Sequence, residues 1–537
     1  MRVPARWFTP LFLLALVAPS LHWIANDRRV WPWDQAWYGE VSTDLWFLLT
    51  HNPAGWARTM ATAMGDKPPA LVWLGQFFVP FGMVLQVEVS LLLFVLFTQL
   101  ATLYLIGVVC RELYPESKMG PAIACLFCAG APLFVGLSHQ YFTEPLQSLC
   151  VAWAFLIAAK ARSWRRTEVF LQLIACVAVS LLVKLSTPLF AFIPFCVAAQ
   201  ALFFGPPSED RTPNRRRLLA SGLAALISVA GVLVWYSINL GKVWKHAMEA
   251  YTGPVSLPYG WRDTLLNKFF SWGGIAFRAF FDVRVLWIVI VLACGGFAIA
   301  LFTGELTSSP PDRRMRKILT LGALAQLVFV LLAFSRGIVV ESRYLLPLLP
   351  SLALLIVKLT GVTQFKPFAL AWVIVGGLQW CLTSWVAYGH TPPPWHEPWL
   401  LALESDRTRS RELTQIIRAT ALDDNKFRYH IIGVEFPWLN ANSASFYAAK
   451  ERLLTSRRCY YTSLGYAETD PRLAYKRFDD LNIDFFVSVA ASLQPTPPNF
   501  VNVVSVPVLL KVQSDTTFHP IPFESKTGTL LFRRSPQ

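Results

Sequence analysis

Charge is what this chain has little of. Asp, Glu, Lys and Arg make up 15% of its 537 residues, where a soluble domain averages roughly 25%, and that shortfall excludes an ordinary soluble fold. Acids are the scarcer sign, 33 against 48 Lys and Arg, so the formal net charge is +15. On a chain this apolar the excess reads as loop charge that orients a membrane protein, not as a nucleic-acid surface. Cysteine is sparse as well, and eight of the nine sit in or beside apolar segments, so no disulfide framework is implied. Cys125 and Cys128 form a CxxC inside a span with no His or acid near them, which argues against a redox or metal motif. No small-residue cleavage site precedes Asn26, so the run from Trp7 to Ile24 is expected to stay as a first span. The second half does not repeat the first.

What is there instead is hydrophobic sequence, 54% of the chain, in blocks of about 17 to 25 residues. A helix of that length crosses roughly 30 Å of hydrocarbon. After the first, spans are expected at about 86–109, 119–137, 145–160, 169–184, 187–204, 218–240, 284–303, 318–335, 344–360 and 368–388, about eleven in all. Between the first and second lies a polar, Trp-rich stretch from Asn26 to Pro69. The block from Ala70 to Phe81 is too short to cross and reads as an interfacial or re-entrant helix.

Every second loop is short and basic: Arg111 and Lys118; Lys160, Arg162, Arg165 and Arg166; Arg211 and Arg215 to Arg217; Arg313, Arg314, Arg316 and Lys317. By the positive-inside rule these face the cytoplasm, together with the N-terminus. The loops Asn26–Pro69, Ser138–Glu144, 241–282 and 334–343 then face outward together. From about Gly389, past Pro392 to Pro394, the sequence turns charged and mixed. The expected division is a membrane domain over 1–390 and an extracytoplasmic α/β domain over 391–537. In the latter, β-rich runs at Tyr429–Val434 and Ile483–Val489 alternate with helical patterns at Thr408–Leu422, Ala444–Leu454 and Pro471–Asp480. No dinucleotide or P-loop glycine pattern occurs there.

Four places could carry chemistry. Asp34 follows three residues after Trp31, just past the outer end of the first span, where partial desolvation raises the basicity of a carboxylate. Asp66 and Lys67 stand before Pro68 and Pro69, and Lys67 could act as a point charge for a lipid phosphate. Glu144 lies in a very short outer hairpin, close to the membrane surface, where it and Asp34 can converge. Arg343 and Tyr344 open a late span from the outer side. Each also has a plainer reading, as a solvated acid, a helix N-terminal acid or an interfacial anchor.

Taken in order, Asp34-Gln-Ala-Trp-Tyr38, Lys67-Pro-Pro-Ala70, Thr143-Glu-Pro145 and Arg343-Tyr-Leu-Leu-Pro347 resemble the motifs of membrane-embedded GT-C glycosyltransferases. The resemblance is to bacterial relatives of protein O-mannosyltransferases and of the lipid A aminoarabinose transferase, and it covers about residues 1 to 390. Gln35 stands where those proteins often have Glu, and Glu144 where Asp is commoner. The resemblance implies a polytopic α-helical protein of a bacterial inner membrane. Its implied donor is one sugar on undecaprenyl phosphate or a related polyprenyl phosphate, and its acceptor an extracytoplasmic glycan, lipid or protein hydroxyl. It further implies a divalent ion near Asp66, no other cofactor and no nucleic-acid partner. The expected reaction is a single inverting displacement with Asp34 as base, Glu144 orienting the acceptor or assisting, and Lys67, Arg343 and Tyr344 at the donor phosphate. A transporter or lipid flippase is the alternative that many spans permit. Transporters keep polar groups near the midplane, whereas Lys184, the main mid-sequence charge, falls in an outer turn.

Overall fold

The computed structural model describes residues 5–204, 215–302, 314–361, 366–421, 429–455 and 459–535. They form two compact units that interleave along the chain. The first comprises Met1–Ala25, Met64–Leu71 and Leu92–Leu403, the second Asn26–Ala63, Val72–Leu91 and Glu404–Gln537.

The chain begins with α1 (Ala5–Asn26), α2 (Trp33–His51), α3 (Pro53–Thr62) and α4 (Ala70–Gly75). The first unit continues through α5 (Val87–Leu113), α6 (Gly120–Ala129), α7 (Pro132–Ser138), α8 (Glu144–Lys160), α9 (Arg166–Val183), α10 (Thr187–Phe190) and α11 (Phe192–Phe204). Beyond these come α12 (Arg215–Thr252), α13 (Leu265–Phe280), α14 (Val283–Phe302), α15 (Arg314–Ser335), α16 (Leu349–Gly361) and α17 (Lys366–Ser384). Helices α6, α7, α8 and α10 each carry a proline in the first turn, where its missing N–H forfeits no bond and its fixed φ suits the helix.

All the segments expected as spans are helical, but they differ in reach. Among the described residues six helices are long and apolar enough to cross a membrane, or seven if α6 and α7 count as one span bent by 62°. Pro132 opens α7 after the break that divides the 119–137 segment. The 187–204 segment divides at Ala191 into α10 and α11. The block after Pro69 is short, as expected: α4 runs into a 3-10 helix, Gln76–Met83, that contains Pro80. Gly82 closes it, because a Cβ there would stand 2.6 Å from the Cα of Val87.

Several segments of the first unit meet at the two ends of α8. At its C-terminal end Lys160 pairs with Glu112, and Arg316 pairs with Glu116 and lies 5.0 Å over the Tyr114 ring. Nearby in sequence, Arg217 pairs with Glu168 at 3.2 Å. Arg211 and Arg313 lie outside the described residues. At its N-terminal end the 138–144 turn meets the end of α9 and the 335–348 segment, and Tyr141 donates to the Leu71 carbonyl at 3.1 Å. Segments 251–260 and 337–340 are joined by an antiparallel bridge, Gly260 to Val339. A Cβ on Gly260 would sit 1.9 Å from the Ile338 oxygen, so that close approach requires glycine.

The second unit holds a mixed sheet. Its elements are α18 (Thr408–Thr420), β1 (Tyr429–Ile432), α19 (Ala441–Thr455), β2 (Tyr460–Ser463), α20 (Pro471–Asp480), β3 (Phe485–Val489), α21 (Ser505–Ser514), β4 (Phe518–Pro520) and β5 (Thr529–Arg534). The order is β2-β1-β3-β5-β4; β1 pairs in parallel with β2 and β3, and β5 is antiparallel to β3 and β4. Leu422, the expected end of α18, lies outside the described residues. Ile431, Phe478, Phe486, Val508, Val512 and Phe532 form the core between sheet and helices.

The Asn26–Pro69 stretch differs from its polar look: it folds into α2 and α3. The buried hydroxyls of Ser42 and Thr43 donate to the Tyr38 and Gly39 carbonyls, each at 2.8 Å, so polarity is satisfied within the helix. Helix α2 then packs on α19. Trp31 stacks on Phe446 with ring centroids 5.1 Å apart, Gly39 leaves room for the same ring, and Arg452 donates to Asp44 at 2.6 Å.

Between β1 and β3, Gly433 donates to the Val487 carbonyl at 2.7 Å, and a Cβ there would lie 2.4 Å from the buried Phe486 ring. Gly433→Ala is therefore expected to destabilise the sheet by about 1–3 kcal/mol through overpacking. Hydrogen-exchange protection of β1 and β3 measures this; unchanged protection would refute the packing argument.

Candidate active site

Glu144 is the first residue of α8, 1% exposed, and Lys184 is the first residue past α9. The two helices run antiparallel, so the start of one adjoins the end of the other. Lys184 Nζ donates to Glu144 Oε1 at 2.7 Å. Arg343 approaches from the 3-10 turn Ser342–Leu348 that leads into α16, with its Nε 3.9 Å from the same oxygen and 2.5 Å from Glu341 Oε2. Two cations and two carboxylates thus meet at one locus, with Glu144 fully buried and the other three half-buried.

Aromatic faces enclose the cations. Lys184 lies 4.2 Å over the Tyr344 ring, and Arg343 lies 4.6 Å over Phe142, 5.2 Å over Tyr344 and 5.5 Å over Trp399. A guanidinium is weakly hydrated and planar, so stacked rings replace water around it at small loss. The Ser342 hydroxyl donates to Glu397, which ties the turn to the 397–399 segment. Burial pushes the Glu397 carboxyl up to about 7, against the pull of that hydroxyl. Glu144 Oε2 is buried and accepts no hydrogen bond from the described residues.

Asp66 and Lys67 lie in the turn before α4, in the same unit. Met64 and Gly65 both have positive φ, 63° and 59°, and turn the chain so that the Asp66 N–H reaches the Met64 carbonyl at 2.6 Å. Asp66 Oδ2 stands 3.2 Å from His246 Nδ1 on α12. Lys67 follows, half-buried. Among the described residues no group of three His, Cys, Asp or Glu side chains is placed to hold a metal ion. Asp66 and His246 supply two donors there.

Asp34 belongs to the second unit. It sits half-buried in the first turn of α2, where the helix dipole favours a negative charge. Trp33 before it has φ +33°, a conformation rare for a bulky residue, and its indole N–H donates to Glu435 Oε2 at 3.1 Å.

The structure therefore brings Glu144, Arg343 and Tyr344 together and adds Lys184 and Glu341, which sequence reasoning passed over. In the sequence Lys184 reads as a charge in a turn. The signal available was that its turn and the Glu144 turn bound adjacent antiparallel helices. Glu144 is gripped between cations, an arrangement that holds Lys184 and Arg343 in place.

No family model and no curated protein matches the chain. Solved structures match it in fold. ArnT from Cupriavidus metallidurans bound to undecaprenyl phosphate superposes with a TM-score of 0.60 at 13% identity, over 99% of this chain and 100% of that one. The chain shares its fold with that protein. The apo state of ArnT gives 0.56 at 13% identity over the same shares. The arabinofuranosyltransferase AftD from Mycobacteria gives 0.54 at 10% identity, over 100% of this chain and 40% of that one. The GT-C resemblance drawn from four short motifs thus agrees with the fold.

The ion cluster has a measurable consequence. Removing one partner of a buried pair leaves an uncompensated charge, so Glu144→Gln and Lys184→Met are each expected to destabilise by about 3–5 kcal/mol. The double variant should cost less than the two singles together, with a coupling above about 1 kcal/mol in thermal or denaturant melts. Additive losses would mean that the two groups do not interact.

Proposed function

We propose that this chain transfers a sugar from a polyprenyl-phosphate carrier to an acceptor hydroxyl on the outer side of a bacterial inner membrane, with inversion. The observation that carries the reading is the cluster of Lys184 and Arg343 around the buried Glu144, at the ends of three helices. The fold it shares with ArnT, a protein crystallised with undecaprenyl phosphate, supports it. Such a cluster suits a site entered from one membrane face. Its groups lie at helix ends, whereas translocation across the bilayer calls for polar groups at mid-helix.

In the proposed reaction the acceptor oxygen forms a bond to the anomeric carbon as the bond from that carbon to the carrier's phosphate oxygen breaks. The phosphate leaves with the electron pair, and the hydroxyl proton passes to Asp34. Phosphate needs no general acid to depart. Lys67 and Arg343 meet the developing charge, the Tyr344 hydroxyl adds a donor, and Lys184 shares Glu144 with Arg343 and so holds it in position. Low dielectric near the bilayer strengthens each contact. Six to seven helices fit to span among the described residues are consistent with the setting, and the N-terminus is proposed to be cytoplasmic with the sheet-bearing unit outside.

Asp34→Asn keeps the side chain's size and removes the base. Transfer is expected to fall at least about a hundredfold, with donor binding nearly unchanged; turnover above about a tenth of normal would eliminate Asp34 as the base. Lys67→Ala should weaken undecaprenyl phosphate binding by about 1.5–3 kcal/mol, as one charge-assisted contact is lost. Equal affinity in a direct titration would remove Lys67 from the site.

Orientation is tested separately with single cysteines in a cysteine-free background. An impermeant thiol reagent added outside should label exposed Leu473→Cys and not exposed Arg216→Cys. The reverse pattern would overturn the assignment of every residue above.

A further inference from the structure

The second unit carries a feature that the proposed donor chemistry does not use. Its parallel strands run β2-β1-β3, so the chain leaves β1 to one side, reaches β2 through α19, and crosses back through α20 to β3 on the other side. That makes a topological switch point between β1 and β3. In open α/β sheets ligands lie outside the carboxyl ends of the strands at such a point, because the two following loops part there and leave a crevice.

The residues at this end form an assembled surface. Glu435 follows β1, and its backbone is clamped from both sides by Asn502 in the segment after β3: the Glu435 N–H donates to Asn502 Oδ1 at 2.8 Å, and Asn502 Nδ2 donates to the Glu435 carbonyl at 3.2 Å. Asn502 is itself buried and bonded to Asn499 and Ser505. The clamp fixes where the Glu435 carboxylate points. Trp33 donates to that carboxylate and is still 41% exposed. Half-buried Trp438 follows in the same loop. After β2 stands Tyr466, 54% exposed, edge-on to the Phe500 ring at 6.1 Å. Burial pushes the Glu435 carboxyl up to about 7, so it can also donate a hydrogen bond at neutral pH.

We propose that this switch-point surface is a saccharide-binding subsite, in which Trp33, Trp438 and Tyr466 pack on the C–H faces of sugar rings and Glu435 hydrogen-bonds their hydroxyls. Aromatic faces beside one fixed carboxylate suit a ligand whose rings are apolar on their faces and rich in hydroxyls at their rims. An anionic lipid surface fits less well, since Glu435 would repel it. Continuity along the chain gives the subsite its purpose: Trp33 immediately precedes Asp34, so a saccharide held there is the acceptor, and this step rests on the transferase reading above.

The full chain in phosphatidylethanolamine–phosphatidylglycerol nanodiscs, applied to an array of free neutral and amino-bearing tri- to hexasaccharides, tests this. At least one glycan is expected to bind. Glu435→Gln should weaken it about tenfold, the size of one hydrogen bond to a charged group, and Tyr466→Ala about threefold or more. Undecaprenyl phosphate, titrated separately, should bind the parent and both variants alike. A parent protein that binds undecaprenyl phosphate but no glycan overturns the subsite and leaves the transferase reading standing. Glycan binding that both variants keep also overturns the subsite. Glycan binding lost with Glu435 in a protein that never binds undecaprenyl phosphate upholds the subsite and overturns the transferase reading. Strong quenching by brominated lipid of a bimane label on Tyr466→Cys, in the cysteine-free background, places this face on the bilayer and overturns the subsite.

Discussion

A carboxylate buried as completely as that of Glu144 is tolerated only where cations meet it, because removing it from water costs several kcal/mol. Lys184 and Arg343 do so, and neither can reach it unless three chain segments end at the same level: the start of α8, the end of α9 and the turn before α16. The hairpin between α8 and α9 fixes the first two. The third is fixed by Ser342 on Glu397 and by the rings of Phe142 and Trp399 around the guanidinium. Upstream, the bridge from Gly260 to Val339 steers the same segment, and the buried Lys268 ammonium donates to the Gly337 and Ile338 carbonyls. Electrostatic compensation at one oxygen thus dictates the geometry of a whole end of the helical unit.

The second unit is organised by a different demand. Helix α2 is half polar and gains stability by burying its small-residue face on α19, as the close approach of Gly39 to Phe446 shows. Arg452, almost wholly buried, finds Asp44 on α2, and burial and the nearby Asp44 charge raise the Glu40 carboxyl to about 8. Docking α2 in this way also sets its first turn, and with it Trp33 and Asp34, against Glu435 in the loop after β1. The tryptophans that made the Trp31–Tyr38 stretch conspicuous therefore serve packing and hydrogen bonding within this unit.

What could be read from the chain alone was whatever its local composition encodes. Apolar blocks marked the helices, prolines marked their starts, and alternating β-rich and helical runs marked the sheet with α19 and α20. The basic residues Lys160, Arg217 and Arg316 marked loops that pair with acids at the ends of their own or neighbouring helices. What escaped depends on distant pairs. Helix α2 looks like a polar loop because Ser42, Thr43 and Asp44 find their partners in its own backbone or on Arg452, 408 residues from Asp44. Lys184 looks like a turn residue because Glu144 lies 40 positions away. Breaks within the expected spans escaped for a related reason: hydropathy sums across the one before Pro132 and the one at Ala191, where the helix is interrupted.

The interleaving of the two units bears on how the protein is made. Helix α2 leaves the ribosome early, and α19, the helix it packs on, comes only after α5 to α18 have been synthesised. At roughly 5–20 residues per second that interval lasts tens of seconds. Throughout it the face of α2 that will cover Phe446 has nothing to cover, so the nascent chain must shelter an unfinished helix while its neighbours insert. A chain ended short of Ala441 would lack α19 and leave that face of α2 uncovered.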